Sequence, residues 1–421
     1  MKAGLNRFLW LWLPPLAIVL AGLWSAWLTG QADPWDWALP TAIVLTGAGL
    51  LLARRGWAIL TWVAMGGVGM ALIFCAFAAG RVPDGMAALG LAMVGMLAAF
   101  GGAMLRHSPF ASSVVEKPGA NTSRLRSKRT GVGVIFLILA ALLLWRGPAQ
   151  PLHPVPDRPT LAVITALPLF WSESGRQDAP VVTVLRTRFT VVPMDDPVQL
   201  KPSGAKRLLL AQPRAMTPTQ LVAIDAWVRD GGTALVMADP LLRWPSDLPL
   251  GDRRRAPSTS LLGPLLDHWG FHPCAIMSEE IRYFPPDGTL ITLTGARGCP
   301  TAERDGIVQR KQIGHGAALL VGDADPIDDR LWLANPAHPL DPRYWVADTP
   351  ALVVRWLGGA SIPGDRRWMR DAQDVTRALR WALLAGTMWA IVGAMLLRRG
   401  RRGATPGTKG EDDEAKDNKF G

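Results

Sequence analysis

The apolar residues of this chain are concentrated in long runs near its two ends. Four runs lie before residue 106, a fifth lies at 131–146 and a sixth at 381–397, and the stretch at 147–380 is mostly polar. A helix of about 20 apolar residues can cross the hydrocarbon core of a bilayer, and soluble proteins rarely contain one. The pattern therefore predicts an integral membrane protein with one large water-exposed domain between its last two spans.

The chain divides accordingly into a membrane region, a domain and a tail. The predicted parts are a four-span membrane region at 1–105 (spans 8–29, 37–53, 58–79 and 85–105), a basic cytoplasmic loop at 106–130, a fifth span at 131–146, a periplasmic α/β domain at 147–380, a sixth span at 381–397 and a disordered cytoplasmic tail at 398–421. The tail is predicted to be disordered because it is rich in Gly, Asp and Lys and has almost no apolar residue.

Lys and Arg in the short loops determine the predicted orientation, because such loops are retained in the cytoplasm. Basic residues lie before the first span, between the second and third, at 106–130 and at 398–402, whereas the loops at 30–36 and 80–84 contain only one Arg. Six spans place all the basic clusters on one side. We therefore expect a multi-pass protein of the bacterial inner membrane, with both termini in the cytoplasm and the large domain in the periplasm.

The formal net charge of +11 does not indicate a nucleic-acid-binding protein. Much of this charge lies in loops next to the spans, where it serves topology and contact with anionic lipid. The chain also has no nucleic-acid recognition motif. We therefore expect the lipid bilayer, and no nucleic acid, as a partner.

The clearest secondary-structure pattern of the polar stretch lies at 206–240. An apolar strand at 207–211 is followed by a helix that begins after Thr217, with Gln220 three residues on to complete a capping box. Gly231 and Gly232 end the helix, and a second apolar strand follows at 233–238. This order predicts a βαβ unit with two parallel strands.

The rest of the stretch continues the alternation of strands and helices. Further strands are predicted at 160–165, 189–193, 289–294, 307–312 and 317–322, and further helices at 260–269 and 349–357. Such alternation predicts an α/β domain with a central, mainly parallel sheet. The strands between 289 and 322 are joined by Gly-containing turns, which favours a hairpin at the edge of the sheet.

Two segments of this domain resemble a known family, the gliding-motility and ABC-transporter auxiliary proteins. The segments are LLLAQPRAMTPTQLVAIDAWVRDGGTALVMADP at 208–240 and GHGAALLVGDADPIDDRLW at 314–332. The resemblance implies a membrane-anchored external domain similar to a class I glutamine-amidotransferase-like, flavodoxin-like fold. It also implies a role beside a separate ABC ATPase and permease.

Sequence motifs for catalysis are absent. The chain has no G-x-x-x-x-G-K-[ST] for ATP, no G-x-S-x-G or Cys equivalent for a nucleophile, and no clustered Cys and His with metal-ligand spacing. A shared fold does not carry catalysis without the site residues. We therefore expect no enzyme activity, no cofactor and no bound metal.

Four polar residues nevertheless follow predicted strands closely: Arg214, Asp239, Asp323 and Asp325. Ligands of open parallel sheets bind beyond the carboxyl ends of the strands, so these residues are candidates for one ligand-binding crevice. The alternative is that Asp and Pro are frequent turn formers at strand ends.

Cys274 and Cys299 both lie in the predicted external domain, where an oxidising compartment and an even count favour a disulfide. The alternative is two unrelated buried thiols.

The sequence thus predicts a non-catalytic inner-membrane accessory subunit of an ABC-type transport or envelope-assembly system. The basic loop at 106–130 is a candidate contact for the ATPase, or alternatively only a topology signal. The alternative function is a stand-alone membrane-anchored module that binds or senses a ligand or glycan in the periplasm.

Overall fold

The computed structural model describes residues 2–106, 120–172, 175–249, 251–272, 275–276, 279–297, 307–364 and 366–399. Within them the helices are α1 (Lys2–Thr29), α2 (Ala38–Leu52), α3 (Trp57–Ala79), α4 (Gly85–Leu105), α5 (Ala120–Arg146), α6 (Pro180–Leu185), α7 (Pro218–Arg229), α8 (Gly263–His268), α9 (Thr349–Trp356) and α10 (Ala372–Arg399). The strands are β1 (Thr160–Thr165), β2 (Thr190–Pro193), β3 (Arg207–Ala211), β4 (Thr233–Met237), β5 (Ala275–Ile276), β6 (Ile281–Tyr283), β7 (Ile291–Leu293), β8 (Ala296–Arg297), β9 (Val308–Ile313) and β10 (Gly316–Val321).

Helices α1 to α5 and α10 pack together into one unit, called here the helical unit. Five of its helices are long and apolar enough to cross a membrane. The remaining helix, α5, has a shorter apolar section at Thr130–Arg146, so the fifth span stays a prediction. Helix α10 begins at Ala372, nine residues before the predicted sixth span. The span was predicted from apolar residues alone, whereas the first turns of α10 contain polar residues, including the ion pair of Asp374 and Arg377.

Glycines allow α2 and α4 to approach closely. A Cβ atom at Gly49 would lie 2.2 Å from the carbonyl oxygen of Ala99, and one at Gly102 would lie 2.2 Å from that of Thr46. Backbones come this near only where one of the two helices has glycine at the point of contact. This close approach accounts for glycine at Gly49 of α2 and at Gly102 of α4.

A six-stranded sheet forms the centre of the α/β domain. Its order is β2-β1-β3-β4-β10-β9, in which the first five strands are parallel and β9 is antiparallel to β10. The mainly parallel sheet and the edge hairpin of β9 and β10 are confirmed. The strand predicted at 289–294 is the exception, since β7 pairs with β6 in a separate small sheet.

The βαβ unit of β3, α7 and β4 has the predicted local structure. The Thr217 side chain accepts from the backbone N–H of Gln220, and the Gln220 side chain accepts from the N–H of Thr217. Gly231 has φ +109°, which explains why glycine ends the helix there. Helix α9 begins at Thr349, as predicted, and ends at Trp356, one residue before the predicted end.

Apolar side chains cover both faces of the sheet. Alternate residues of β3 illustrate this, because Leu209 belongs to the core beneath α6 and α9, whereas Leu208 and Leu210 belong to the core beneath α7 and α8. Strands that are apolar on both sides are typical of parallel sheets covered by helices on both faces.

The α/β domain is seated on one end of the helical unit. Gln31 forms an antiparallel bridge with Trp368, the Ala32 N–H donates to the Arg367 carbonyl at 2.7 Å, and the Arg370 N–H donates to the Ala78 carbonyl at 3.1 Å. The loops at 30–36 and 80–84, which the basic-residue pattern places on the outer side, are therefore at the domain end of the unit.

Candidate functional site

Three of the four predicted site residues meet at the carboxyl end of the central sheet. Asp239 follows β4, and Asp323 and Asp325 follow β10, which is the neighbour of β4. All three side chains are buried, and one oxygen of each lies within 4.8 Å of the others. They are called here the carboxylate cluster. Parallel strands that end at the same edge bring these residues together, as the sequence predicts.

Backbone N–H groups surround the first two members of the cluster. Asp239 accepts from Leu241 at 2.7 Å and from Ala324 at 3.1 Å. Asp323 accepts from the N–H of Thr294 at 2.6 Å and of Gly295 at 2.9 Å. Buried carboxyl groups are costly unless they are hydrogen-bonded in this way.

Asp325 is held by a similar set of donors. Its two oxygens accept from the N–H of Arg243 at 3.1 and 2.9 Å, and one of them accepts from the Thr294 hydroxyl at 2.6 Å. The cluster therefore joins the turn after β4, the turn after β10 and the segment after β7.

Gln212 extends these connections to the end of β3. Its side-chain oxygen accepts from the Asp239 N–H at 3.0 Å, and its amide donates to the carbonyls of Asp239 and Pro257 at 3.2 and 3.0 Å. Gln212 has φ +41°, which is uncommon for a residue other than glycine. Strain of this kind persists where several contacts fix the backbone.

The segment after β7 covers the cluster directly. A Cβ at Gly295 would lie 2.3 Å from an oxygen of Asp239, so only glycine fits against the cluster at this point. Sequence reasoning missed Thr294 and Gly295, because 289–294 reads as an ordinary strand and Thr294 lies 29 residues from Asp323.

Burial raises the pKa of all three carboxyl groups. Asp239 has its pKa raised to about 7 by desolvation first and by the charge of Asp323 second. Burial likewise raises the pKa of Asp323, which accepts a hydrogen bond from Asp239, and that of Asp325. The cluster therefore binds a proton more readily than free Asp does, because burial and the neighbouring charge both disfavour the ionised form.

The remaining predicted residues lie elsewhere. Arg214 is exposed and takes no part in the hydrogen bonds of the cluster. Cys274 and Cys299 lie outside the described residues, so their disulfide stays a prediction. Their described neighbours in β5 and β8 are paired, with Ala275 opposite Arg297.

The cluster offers two chemical possibilities. Its three closely spaced oxygens have a geometry that can hold a cation, for which carboxylates are suitable ligands. The same oxygens already accept from backbone N–H groups, and burial raises the pKa of all three carboxyl groups. In this second arrangement the hydrogen bonds of the carboxylate cluster hold together the turn after β4, the turn after β10 and the segment after β7.

A family model matches the α/β domain. Residues 158–273 match the family described as an ABC-type uncharacterized transport system. The match begins just before β1 and includes the whole of β3, α7 and β4. It supports the ABC-transporter auxiliary family that the sequence motifs predict. No curated protein matches the chain significantly.

Several solved structures show a distant likeness. The mmIFT52 N-terminal domain has 16% identity and a TM-score of 0.30, with 49% of this chain and 99% of that domain covered. The GH42 β-galactosidase Gan42B from G. stearothermophilus and the β-galactosidase from Rahnella sp. R3 have 13% and 11% identity, each with a TM-score of 0.27. The matches cover 56% and 66% of this chain but only 38% and 43% of the two enzymes. Likenesses at these TM-scores do not bear on function.

Proposed function

We propose that this chain is a non-catalytic, membrane-anchored auxiliary subunit of an ABC-type transport system. The observation that carries the proposal is the family match over 158–273, in a domain that is seated on a bundle of apolar helices. The domain would stand in the periplasm, and ATP hydrolysis and substrate passage would belong to separate ATPase and permease subunits.

The orientation proposed here rests on charge and on the seating of the domain. The loops at 30–36 and 80–84 lie at the domain end and are poor in Lys and Arg, whereas the basic 106–130 loop follows α4 at its far end. Cytoplasmic loops carry the excess of Lys and Arg, which supports a cytoplasmic location for both termini.

The proposed fold class of the domain is flavodoxin-like, as in class I glutamine amidotransferases. Counting only the five parallel strands, the sheet has the order 2-1-3-4-5. This is the doubly wound order of flavodoxin-like proteins. Two apolar cores, one on each face of the sheet, support the same proposal.

Two features support the proposal that this chain is not an enzyme: its sequence motifs and the residues at the carboxyl end of β4. An amidotransferase-type nucleophile would occupy the turn after a strand, but this turn carries Asp239 followed by Pro240. Gly295 packs directly against Asp239, so that a side chain at position 295 would meet this carboxyl.

Affinity purification of the full-length protein in mild detergent tests the proposed function. Recovery of an ABC ATPase and a permease supports the subunit assignment. Recovery of the chain alone favours a stand-alone periplasmic binding module instead.

A further inference from the structure

A groove opens at the amino ends of β3 and β4, at the opposite end of the sheet from the carboxylate cluster. It has a volume of about 880 Å³, and its walls are the end of α9 at 355–358, the turn at 285–287 and the strands themselves. Arg207, Arg310 and Arg355 line it, and it is called here the arginine groove. Pockets that bind small molecules have volumes of roughly 300–1,000 Å³, so the groove is large enough for a ligand.

Two of these arginines leave the sheet on the same face. Arg207 of β3 pairs with Thr233 of β4. Leu235, two residues further along β4, pairs with Leu319 of β10, which in turn pairs with Arg310 of β9. Residues two apart on a strand point to the same side of a sheet. Arg207, Thr233 and Arg310 therefore enter the groove from one face, and β3 and β9 lie about 14 Å apart across it, at three strand spacings.

The charges of the arginine groove are only partly balanced. Arg355 donates to Asp287, which also lines the groove, at 2.7 Å. Arg207 donates through Nη2 to the backbone carbonyl of Gly358 at 3.3 Å, while its Nη1 is neither enclosed nor paired among the described residues. Arg310 is exposed and forms no ion pair with any residue that the structure describes. Three arginines against one aspartate give the lining residues a net charge of +2.

We propose that the arginine groove binds the phosphate group of a phosphomonoester. Such a group has a charge of about −1.5 to −2 and three acceptor oxygens, which matches the unbalanced charge of the groove. Guanidinium groups bind phosphate oxygens through two parallel N–H bonds, so Arg207 and Arg310 can hold one phosphate between them. The hydroxyl of Thr233, directly opposite Arg207, is a further donor. A carboxylate or a phosphodiester has a single negative charge and would leave one of the two arginines unbalanced.

Two sources can supply this phosphate, because one wall of the groove touches the helical unit. The turn at 285–287 continues into Gly288, where a Cβ atom would clash with the guanidinium group of Arg81 in the loop at 80–84. If the helical unit crosses the membrane, as the proposed function holds, this loop lies at the outer membrane surface. The phosphate therefore belongs either to a soluble phosphomonoester or to a lipid headgroup such as that of phosphatidic acid. Only the lipid source rests on the membrane placement, and neither source rests on the transport partners.

Two binding measurements on the full-length protein in detergent distinguish the sources. Isothermal titration calorimetry with glycerol 3-phosphate, at an ionic strength held constant with sodium chloride, tests the soluble source. Native mass spectrometry after exchange into equal amounts of phosphatidic acid and phosphatidylglycerol tests the lipid source, since phosphatidylglycerol is a phosphodiester. We expect saturable binding of glycerol 3-phosphate at one site, or retention of phosphatidic acid about tenfold above that of phosphatidylglycerol. Either result supports the phosphate site and identifies its source.

Arg310→Gln tests whether the arginine groove is responsible. The Arg310 side chain is exposed and has no described ion pair, so the variant should fold like the wild type. We expect the affinity for glycerol 3-phosphate, or the preference for phosphatidic acid, to fall about tenfold, as the loss of one charge-assisted contact would give. Arg207→Gln should lower it by a similar factor. Arg214→Gln is the matched control, because Arg214 is also exposed but follows β3 at the other end of the sheet.

Two results would overturn the proposal. One is the absence of saturable glycerol 3-phosphate binding together with equal retention of the two lipids by the wild-type protein, a result that does not depend on how any variant folds. The other is binding that Arg310→Gln weakens no more than Arg214→Gln does. If the ATPase and permease still accompany the protein in either case, the phosphate site fails and the proposed function stands.

Discussion

The side-chain amide of Gln31 donates a hydrogen bond of 2.8 Å to the backbone carbonyl of Trp345. Gln31 lies two residues beyond α1, in the helical unit, and Trp345 is fully buried in the α/β domain. The same amide also donates to the Pro342 carbonyl at 3.0 Å. One buried side chain therefore satisfies two carbonyls of the domain and holds it on the helices.

Replacing Gln31 should loosen this seating. Gln31→Ala removes the side-chain donor of the buried Trp345 carbonyl, at a cost of about 1–3 kcal/mol, whereas the Pro342 carbonyl still accepts from the Trp345 N–H at 3.2 Å. We expect amide exchange of residues 342–346 and 366–370 to quicken about tenfold or more in hydrogen-exchange mass spectrometry. The matched control is Gln150→Ala, since exposed Gln150 also bonds two carbonyls, which water can satisfy. Unchanged exchange in Gln31→Ala would show that other contacts hold the domain.

The close approach of α2 and α4 leads to a second prediction. Gly102→Ala places a methyl group 2.2 Å from the Thr46 carbonyl, so the helices must separate. We expect a loss of about 1–3 kcal/mol, seen as a lower melting temperature of the full-length protein in detergent. Gly47→Ala on α2 is the control, because nothing lies within 4 Å of its new methyl group. Equal melting of the two variants would contradict the packing described for α2 and α4.

The carboxylate cluster predicts a dependence of stability on pH. Burial raises the pKa of Asp239 from its ordinary value of 3.8 to about 7 in the folded domain. Between pH 3.8 and pH 7, the folded state therefore binds a proton that the unfolded state releases. Its contribution to stability is full below pH 3.8 and is lost as the pH rises to about 7. Each pKa unit corresponds to about 1.4 kcal/mol. The raised pKa of Asp323 and of Asp325 acts in the same direction.

Asp239→Asn tests the origin of this dependence. The uncharged amide can still accept from Leu241 and donate to Asp323, although it loses the bond from Ala324. We therefore expect a melting temperature that varies less between pH 4 and 7 than that of the wild type. Asp195→Asn, at an exposed position of the α/β domain, is the control and should leave the profile unchanged. A profile as steep in Asp239→Asn as in the wild type would place the titrating group elsewhere.

Mass spectrometry of the alkylated protein tests the predicted disulfide between Cys274 and Cys299. Alkylation of the unreduced, denatured protein should label only Cys75, and reduction should add two labels at Cys274 and Cys299. An oxidising compartment and an even count of cysteines in the predicted external domain favour the bond. Three labels without reduction would show two free thiols.

Local signals made much of the fold predictable. The helix α7 was identified by Thr217, Gln220 and Gly231, whose hydrogen bonds and backbone conformation involve near neighbours only. Asp239, Asp323 and Asp325 could be grouped because parallel strands end at one edge. Arg214 follows β3 in the same way, but its exposure could not be read from its position.

Contacts between distant residues could not be predicted. Gln31 and Trp345 are separated by 314 positions, and neither belongs to a recognisable motif. Gly295 likewise carries no sign that it covers Asp239.

Affinity purification of the full-length protein from mild detergent, with quantitative mass spectrometry of the proteins recovered, tests the proposed function most directly. An unrelated multi-pass membrane protein with the same tag is the control for nonspecific recovery. The proposed function predicts specific enrichment of an ABC ATPase and a permease. Recovery of the chain alone, or with other envelope proteins at the level of the control, would contradict it.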